Sequence, residues 1–239
     1  MDAEHRAGRA VHTHVLVAVK ELRVAKSRLA DHLSPADRAA LVTAMLHDTL
    51  DVLAEAGFGT APGSGVTVVS PDPAIAAVAA AHGVRHVPDP GPTPTGGSGL
   101  NAALAATARA VLSAGSGVTD LVALQADLPS LRASELHDAL AAARRVGRAI
   151  VVDHTGTGTA ALFACGRPRR LDPRFGSGSA ARHVASGAVA LDGRWPGLRQ
   201  DVDTIADLAA VAGLGPGPHT RTILDHIACT PGVGQPPPP

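Results

Sequence analysis

The stretch LVALQADLPSL, residues 121–131, places an acidic side chain shortly after a run of apolar ones. An unbroken apolar run such as residues 121–124 is typical of a strand that is covered on both faces, as in a parallel sheet. Pro129 cannot continue that strand, because proline has no amide hydrogen to donate. Asp127 is therefore predicted to lie just beyond the carboxyl end of a core strand, where open α/β sheets bind their ligands.

The rest of the chain repeats this alternation of apolar runs and helical segments. Residues 34–57 have the signals of a complete helix, with Ser34 as N-cap, Pro35 at the first helical position and Gly57 as the stop. Further strands are predicted at 15–19, 66–70, 84–87 and 149–152, and the buried face of the first helix at Leu41, Met45, Thr49 and Leu53. The pattern predicts a three-layer α/β fold around a mainly parallel sheet.

Size and composition predict a single domain. The 239 residues contain no obvious internal linker, and 45% of them are apolar, which supports a well-filled core. Residues 1–13 are predicted to be a flexible arm, 14–230 the domain, and 231–239 a disordered proline-rich tail. The chain has three Phe, one Trp and no Tyr. This scarcity argues against single-stranded nucleic-acid binding, which depends on aromatic stacking.

Charge and segment lengths predict a cytoplasmic protein without nucleic-acid or membrane partners. The formal net charge is zero, so no basic surface for DNA or anionic lipid is indicated. The first apolar run is too short for a signal peptide, and no segment approaches the roughly 20 apolar residues that span a bilayer. Cys165 and Cys229 form no CxxC motif, and Cys165 is predicted to be a buried, reduced thiol. His12 and His14 are predicted to be solvated in the arm.

Lysine is confined to one short window. Lysine and arginine together number 21, but Lys20 and Lys26 are the two lysines of the chain. Both lie in VAVKELRVAKSRL, directly after the first predicted strand, together with Arg23 and Arg28. Lysine supplies a compact, flexible charge that arginine does not. The window is predicted to clamp a polyphosphate, with a solvated connection as the alternative.

Two acids near the C-terminus complete a candidate metal site. Asp201 and Asp203 are two residues apart in RQDVDTIADL, which puts both carboxylates on one side of an extended segment. With Asp127 they are predicted to bind Mg²⁺, which uses a few hard oxygen ligands together with substrate phosphates. Two alternatives are open. Asp203 could help to cap the helix that begins after Thr204, and DVDTI matches the DxDxT motif of aspartate-nucleophile phosphatases.

Three glycine-rich segments, 88–99, 153–159 and 172–179, follow apolar runs. Loops of this kind in a compact domain are usually functional or disordered. Their glycines allow backbone N–H groups to approach an anion, and Thr159 and Ser179 add hydroxyl groups. The sequence contains no GxSxG elbow, no Walker loop and no GxGxxG after a strand, so neither a nucleophilic triad nor a common nucleotide loop is indicated.

Six segments, taken in order, resemble the guanylyltransferases of coenzyme F-420 biosynthesis. They are VAVKELRVAKSRLA, GLNAAL, LVALQADLPSL, GTGTAALF, RFGSGSAARHVASGA and WPGLRQDVDT, and the resemblance extends from about residue 15 to residue 212. It implies a Rossmann-like nucleotidyltransferase fold of the nucleotide-diphospho-sugar transferase type. It also implies transfer of the guanylyl group of GTP to a phosphorylated three-carbon acid, with release of pyrophosphate. Bacterial members similar to this chain favour phosphoenolpyruvate, and archaeal relatives are described with 2-phospho-L-lactate.

The resemblance implies roles for residues at matching positions. Thr159, Gly176 and Ser179 are expected to hold the acid, whereas Asp127 and Asp201, with Asp203 close by, are expected to bind Mg²⁺. The GTP phosphates are expected at Lys20, Lys26 and Arg28, which with Asp127 form the expected catalytic set. Gly99 and Asn101 are expected to border the guanine or ribose, with a plain helix cap as the alternative for Asn101. Arg174 and Arg182 flank the acid-binding loop and are expected to contact the carboxylate.

The expected reaction is an in-line attack of the acid's phosphate on the α-phosphorus of GTP. No general base is needed, because a phosphate monoester with a second pKa near roughly 6 is already largely ionised at pH 7. The predicted partners are GTP, phosphoenolpyruvate and, functionally, the downstream transferase of the pathway. The same chemistry on 2-phospho-L-lactate or 3-phosphoglycerate, and a GTP-binding module without catalysis, are the alternatives.

Overall fold

The computed structural model describes residues 12–23, 25–59, 64–89, 99–114, 117–168 and 170–229. The predicted disordered tail, most of the predicted arm and residues 90–98 of the first glycine-rich segment lie outside the described residues. In the described ranges, no helix combines the length and the apolar character that crossing a membrane requires.

Seven strands of the described chain form one mixed sheet in the order β3-β2-β1-β4-β6-β5-β7. They are β1 (Thr13–Ala18), β2 (Gly65–Val69), β3 (Arg85–Val87), β4 (Asp120–Gln125), β5 (Arg148–Val152), β6 (Thr159–Ala164) and β7 (Val189–Ala190). Strand β6 is antiparallel to its neighbours β4 and β5, and the other paired strands are parallel. The mainly parallel sheet predicted from the apolar runs is confirmed.

Helices cover both faces of the sheet, which confirms the three layers. They are α1 (Pro35–Glu55), α2 (Pro73–Ala81), α3 (Gly99–Ser113), α4 (Ala133–Val146), α5 (Ser179–Ala185), α6 (Pro196–Arg199), α7 (Ile205–Leu214) and α8 (Pro218–Cys229). Side chains of β1 alternate between two cores: Val15 and Val17 belong to the core with α1, α2 and α4, whereas Leu16 and Ala18 belong to the core with α3 and α5. This alternation follows from the two-residue period of a strand.

Helix α1 forms where its sequence signals place it. The Ser34 hydroxyl accepts a hydrogen bond of 3.1 Å from the Asp37 N–H, and Pro35 follows it. After the helix, Gly57 has a φ of 78°, a left-handed conformation that glycine adopts without steric cost. The predicted inner face, Leu41, Met45, Thr49 and Leu53, is buried.

The strand order brings several polar segments to one edge of the sheet. Strands β1 and β4 are parallel neighbours, so their carboxyl ends lie side by side. Because β6 is antiparallel to β4, its first residue, Thr159, lies at the same edge. The glycine-rich β5–β6 turn therefore meets the segments that follow β1 and β4.

The start of β1 differs from the prediction of a flexible arm. Thr13 is the first strand residue and is buried, because its pairing with Asp120 of β4 extends the ladder beyond the apolar run. His14 Nε2 lies 2.9 Å from the Thr67 hydroxyl, and burial, followed by the charge of Arg85, lowers its pKa to about 4. His12 is half-buried and its N–H donates to Thr119. The prediction that these histidines are solvated is wrong.

Cys165 has the inert character predicted for it. The residue is buried at the end of β6 and is a free thiol. Burial, followed by the charge of Asp120, raises the pKa of the thiol to about 12. Since the thiolate is the reactive form of cysteine, this side chain belongs to the core.

Candidate active site

A cleft of about 530 Å³ opens at the edge of the sheet where these segments meet. Its lining includes predicted phosphate, acid and metal residues: Lys20, Arg28, Asp127, Thr159, Gly176, Ser179, Asp201 and Asp203. A second cavity of about 230 Å³ shares part of this lining and adds Lys26. In the described part of the chain, Gly99 and Asn101 line neither cavity.

The three predicted metal ligands form one carboxylate cluster. Asp127, Asp201 and Asp203 each offer an oxygen within 4.8 Å of the others. The Val202 N–H donates a hydrogen bond of 3.2 Å to the Asp127 carbonyl, which holds the two segments side by side. Oδ1 of Asp127 is buried and has no hydrogen-bond partner among the described residues. A hard divalent cation fits this cluster, because it binds carboxylate oxygens and offsets their mutual repulsion.

Lys26 lies against two of these carboxylates. Its Nζ contacts Oδ2 of Asp127 and lies 3.1 Å from Oδ1 of Asp203. Burial alone would lower the pKa of the ammonium, but the charges and hydrogen bonds of Asp127 and Asp203 outweigh it, so the pKa is raised. Lys26 therefore stays charged at neutral pH. Arg28, which is mostly exposed, reaches Oδ2 of Asp203 at 3.5 Å.

His154, which no motif in the sequence indicates, contacts the cluster from the β5–β6 turn. Its Nδ1 lies 2.9 Å from Oδ1 of Asp201, and its Nε2 lies 3.0 Å from Oδ1 of Asp207. Burial, followed by the charge of Asp127, raises the pKa of Asp201 to about 6, although the hydrogen bond from His154 opposes this. The imidazole thus links a predicted metal ligand to the first turn of α7.

The alternatives for the Asp203 segment do not fit the structure. Helix α7 begins with a capping box, but its carboxylate is Asp207, which accepts hydrogen bonds from the N–H groups of Asp203 and Thr204. The side chain of Asp203 points instead to Lys26 and Arg28. The DxDxT segment lies between α6 and α7 rather than after a strand, so the phosphatase interpretation loses its structural context.

The predicted acid-binding residues form a second group in the cleft. The Ser179 hydroxyl donates to the Thr159 hydroxyl at 3.1 Å. His183, which is fully buried, lies below them: its Nε2 accepts the Arg174 N–H at 2.9 Å, so its Nδ1 carries the hydrogen that faces the Thr159 hydroxyl at 3.0 Å. Gly176 has a φ of 118°, which favours glycine at this turn of the loop.

The loop that carries Gly176 is held by side chains from two helices. The Asn101 amide of α3 makes two hydrogen bonds to the Phe175 backbone, of 2.9 Å and 3.0 Å. The Arg182 guanidinium of α5 donates to the carbonyls of Arg174 and Ser177. Asn101 therefore binds the loop predicted to hold the acid. It lies inside α3 rather than at its cap, and its expected place beside the guanine or ribose stays a prediction. The guanidinium of Arg174 lies 3.3 Å from Asp172.

Comparison with protein families identifies the chain. The family described as "Guanylyl transferase CofC like" matches residues 13–230. The chain belongs to this family. A phosphoenolpyruvate guanylyltransferase from Rhodococcus opacus (strain B4) is 56% identical over 222 residues, which cover 90% of each chain. One from Nocardia farcinica (strain IFM 10152) is 53% identical over 224 residues, covering 93% of this chain and 95% of the relative.

Solved structures similar to this CofC-like chain show the same fold at low sequence identity. A protein assigned as a nucleotide-diphospho-sugar transferase from Desulfovibrio desulfuricans G20 has a TM-score of 0.68 at 16% identity, covering 91% of this chain and 95% of that one. A 4-diphosphocytidyl-2C-methyl-D-erythritol synthase has a TM-score of 0.53 at 13% identity, covering 86% and 99%. The predicted Rossmann-like nucleotidyltransferase fold is confirmed.

Proposed function

We propose that this CofC-like guanylyltransferase transfers GMP from GTP to the phosphate of phosphoenolpyruvate and releases pyrophosphate. The names of the relatives from Rhodococcus opacus and Nocardia farcinica support this choice of acid. The observation that carries the proposal is a single cleft with three kinds of lining. They are the carboxylate cluster, the cations Lys20 and Arg28, and the glycine-rich loop with Gly176 and Ser179. The product belongs to coenzyme F-420 synthesis, where a downstream transferase consumes it.

The physical obstacle to this reaction is charge repulsion. A phosphate oxygen has to approach the α-phosphorus of a triphosphate, and two unit charges 4 Å apart repel by about 4 kcal/mol at an effective dielectric near 20. Lys20 and Arg28 line the cleft from the segment after β1, where they offset the charge of the GTP phosphates and of the departing pyrophosphate. The nucleophile is already ionised, so the site needs no general base.

Asp127, Asp201 and Asp203 would hold Mg²⁺. When bound, the ion neutralises phosphate charge and stabilises the leaving pyrophosphate. His154 fixes one carboxylate oxygen of Asp201. This contact limits how the ligand turns, which is the usual role of residues behind metal-binding side chains.

The acid is proposed to lie against Thr159, Gly176 and Ser179. The Ser179 N–H is already donated to the Gly176 carbonyl at 3.0 Å, so Ser179 would act through its hydroxyl. Arg182 and Arg174 border this loop, and their charges attract the carboxylate of the acid. Since Arg182 already holds two loop carbonyls, its direct effect is to keep the cradle in shape.

The test is pyrophosphate release from GTP and Mg²⁺ with phosphoenolpyruvate, 2-phospho-L-lactate or 3-phosphoglycerate. We expect the fastest release with phosphoenolpyruvate and none without an acid. Faster release with either other acid would correct the substrate assignment. GTP binding without release of pyrophosphate in the presence of any of the three acids would instead support a binding module and reject the proposed enzyme.

A further inference from the structure

The two lysines of the chain have different surroundings. The Lys26 side chain is 7% exposed, and its ammonium contacts Asp127 and Asp203. Lys20 is exposed and takes part in none of the ion pairs seen in the described ranges. Lys20 lines both cavities, whereas Lys26 lines the smaller one. The phosphate clamp predicted for both lysines therefore does not describe them equally well.

The partners of Lys26 are two of the three carboxylates that could hold a metal ion. Oxygens of Asp127, Asp201 and Asp203 lie within 4.8 Å of one another, so their charges repel unless a cation lies among them. The ammonium supplies such a charge at contact distance from two of the three. Any divalent ion that binds this cluster meets a positive charge that is already in contact with its ligands.

We propose that Lys26 is the resident counter-ion of the carboxylate cluster, which gives way to the divalent cation, while Lys20 and Arg28 receive the GTP phosphates. The proposal rests on the proposed function only in taking the cluster as the site of a divalent cation. Lys20 and Lys26, which the sequence analysis places in one phosphate clamp, then have different roles. The proposal also predicts that removing Lys26 strengthens metal binding, the opposite of what loss of a simple phosphate contact would do.

The local structure allows this exchange without unfolding the segment. The backbone of Lys26 is left-handed, with φ 54° and ψ 39°, and its carbonyl accepts the Leu29 N–H at 2.9 Å. Leu29 is fully buried, which anchors the turn. Beyond this fixed backbone, lysine has a flexible four-carbon stem and three donors on one rotatable ammonium. The ammonium can leave the carboxylates by side-chain rotation alone.

One functional consequence is that metal and nucleotide should bind together. Without nucleotide, a divalent cation has to displace the Lys26 ammonium or bind close to it, and the ammonium gains no new anionic partner in exchange. When the cation arrives with GTP, the phosphates offer the ammonium a new anionic partner. Divalent-cation affinity should therefore rise when GTP is present, and this coupling should shrink when Lys26 is removed.

The chain supplies its own matched control for this proposal, because Lys20 and Lys26 are its two lysines. Mn²⁺ binding without nucleotide is measured by electron paramagnetic resonance for the wild type, Lys20→Met and Lys26→Met. We expect Lys26→Met to bind Mn²⁺ about tenfold more tightly and, in EDTA, to unfold at a lower temperature. Lys20→Met should match the wild type in both measurements but raise the KM for GTP.

A second measurement uses the wild-type protein and does not depend on a variant folding. Protein labelled with ¹⁵N-lysine has two side-chain ammonium signals, and Lys20→Met identifies them. Adding Mg²⁺ without GTP should shift the Lys26 signal and leave that of Lys20 in place. An unmoved Lys26 signal, or unchanged or weaker Mn²⁺ binding in Lys26→Met, would overturn the proposal even in an active enzyme. Tighter Mn²⁺ binding without any pyrophosphate release would instead reject the proposed function and keep the role of Lys26.

Discussion

The two carboxylate oxygens of Asp127 have different surroundings. Oδ2 contacts Lys26, whereas Oδ1 is buried and has no hydrogen-bond partner among the described residues. We expect Asp127→Asn to lower turnover at least about a hundredfold, because an amide is a poorer ligand for a hard cation. The melting temperature should change little, since the amide oxygen can still face Lys26 and Asp203 keeps its ion pair.

The measurement is pyrophosphate release alongside thermal unfolding of the same preparation. Glu21→Gln, which removes an exposed acid paired with Arg23 in the same segment as Lys26, should change neither. A collapse of stability in Asp127→Asn would show that Asp127 has a structural role and that its loss of activity says nothing about metal binding.

His183 contributes part of a pH-dependent stability of the protein, to which His14 contributes in the same direction. Burial, followed by the charges of Arg148, Arg182 and Arg174, lowers the pKa of His183 to about 4. In the unfolded chain its pKa is near roughly 6.5. The native state therefore binds fewer protons than the unfolded state between these values. The stabilisation by neutral His183 is complete above pH 6.5 and is lost as the pH falls towards 4.

We expect His183→Asn to be less stable than the wild type at pH 7.5, with a difference that shrinks as the pH approaches 4.5. The comparison uses melting temperatures of both proteins across this range. His32→Asn, at an exposed histidine, serves as the control and should melt close to the wild type. A constant gap between His183→Asn and the wild type would contradict a neutral, buried imidazole.

The Asn101 amide of helix α3 binds both the N–H and the carbonyl of Phe175, in the loop proposed to hold the acid. We expect Asn101→Ala to raise the KM for phosphoenolpyruvate about tenfold, since two hydrogen bonds that order the loop are lost, and to leave the KM for GTP almost unchanged. Steady-state kinetics with each substrate varied in turn distinguish the two constants. A selective rise in the KM for GTP would restore the nucleotide-binding role that the sequence predicts for Asn101.

Helix α8 is attached to α1 by a buried carboxylate. Asp48 accepts the N–H groups of His219 and Thr220 at 3.0 Å and 2.8 Å, where α8 begins. We expect Asp48→Ala to cost about 2 kcal/mol of unfolding free energy, because it leaves the start of a helix without its partner. Urea denaturation measures this cost, with Asp51→Asn as the exposed neighbour that should cost below about 1 kcal/mol. Equal losses of unfolding free energy in both variants would show that Asp48 does not attach α8 to α1.

Sequence reasoning locates the strands and helix ends well because these depend on local signals. The apolar runs at β1, β2, β4 and β5 and the cap at Ser34 are visible without any partner. The contacts of His154 and His183 depend on residues 47 and 24 positions away. Only the strand order brings these histidines close to their partners, so no spacing pattern in the chain indicates the contacts.

The position of Thr159 shows the same limit for the fold as a whole. The glycine-rich turn before it is visible in the sequence, but its place beside Asp127 depends on β6 inserting antiparallel between β4 and β5. The site therefore joins segments from residue 20 to residue 207 at one edge of the sheet. The sequence alone indicates which types of residue form the site. The distances between these residues depend on the topology of the sheet.

Because the site joins distant segments, a cation that binds there should stabilise the entire domain. The carboxylates of Asp127, Asp201 and Asp203 come together only when the chain is folded, so a divalent ion binds the native state in preference to the unfolded one. At a hundred times its Kd, such an ion adds about 2.7 kcal/mol of stability. For a domain of this size that amounts to a rise of roughly 5–10 °C in melting temperature.

The prediction is tested by thermal unfolding with Mg²⁺ or Mn²⁺ added to EDTA-treated protein, at an ionic strength held constant with NaCl. The rise should be largest when GTP is also present and should disappear in an Asp127→Asn, Asp203→Asn double variant. An equal rise in that variant would place the stabilising ion elsewhere, for instance near Asp48, Asp51 and His219, which also offer ligand atoms within 4.8 Å of one another. Removing His219 in the double variant would then decide between the two clusters, since only a site at α8 would lose its remaining stabilisation.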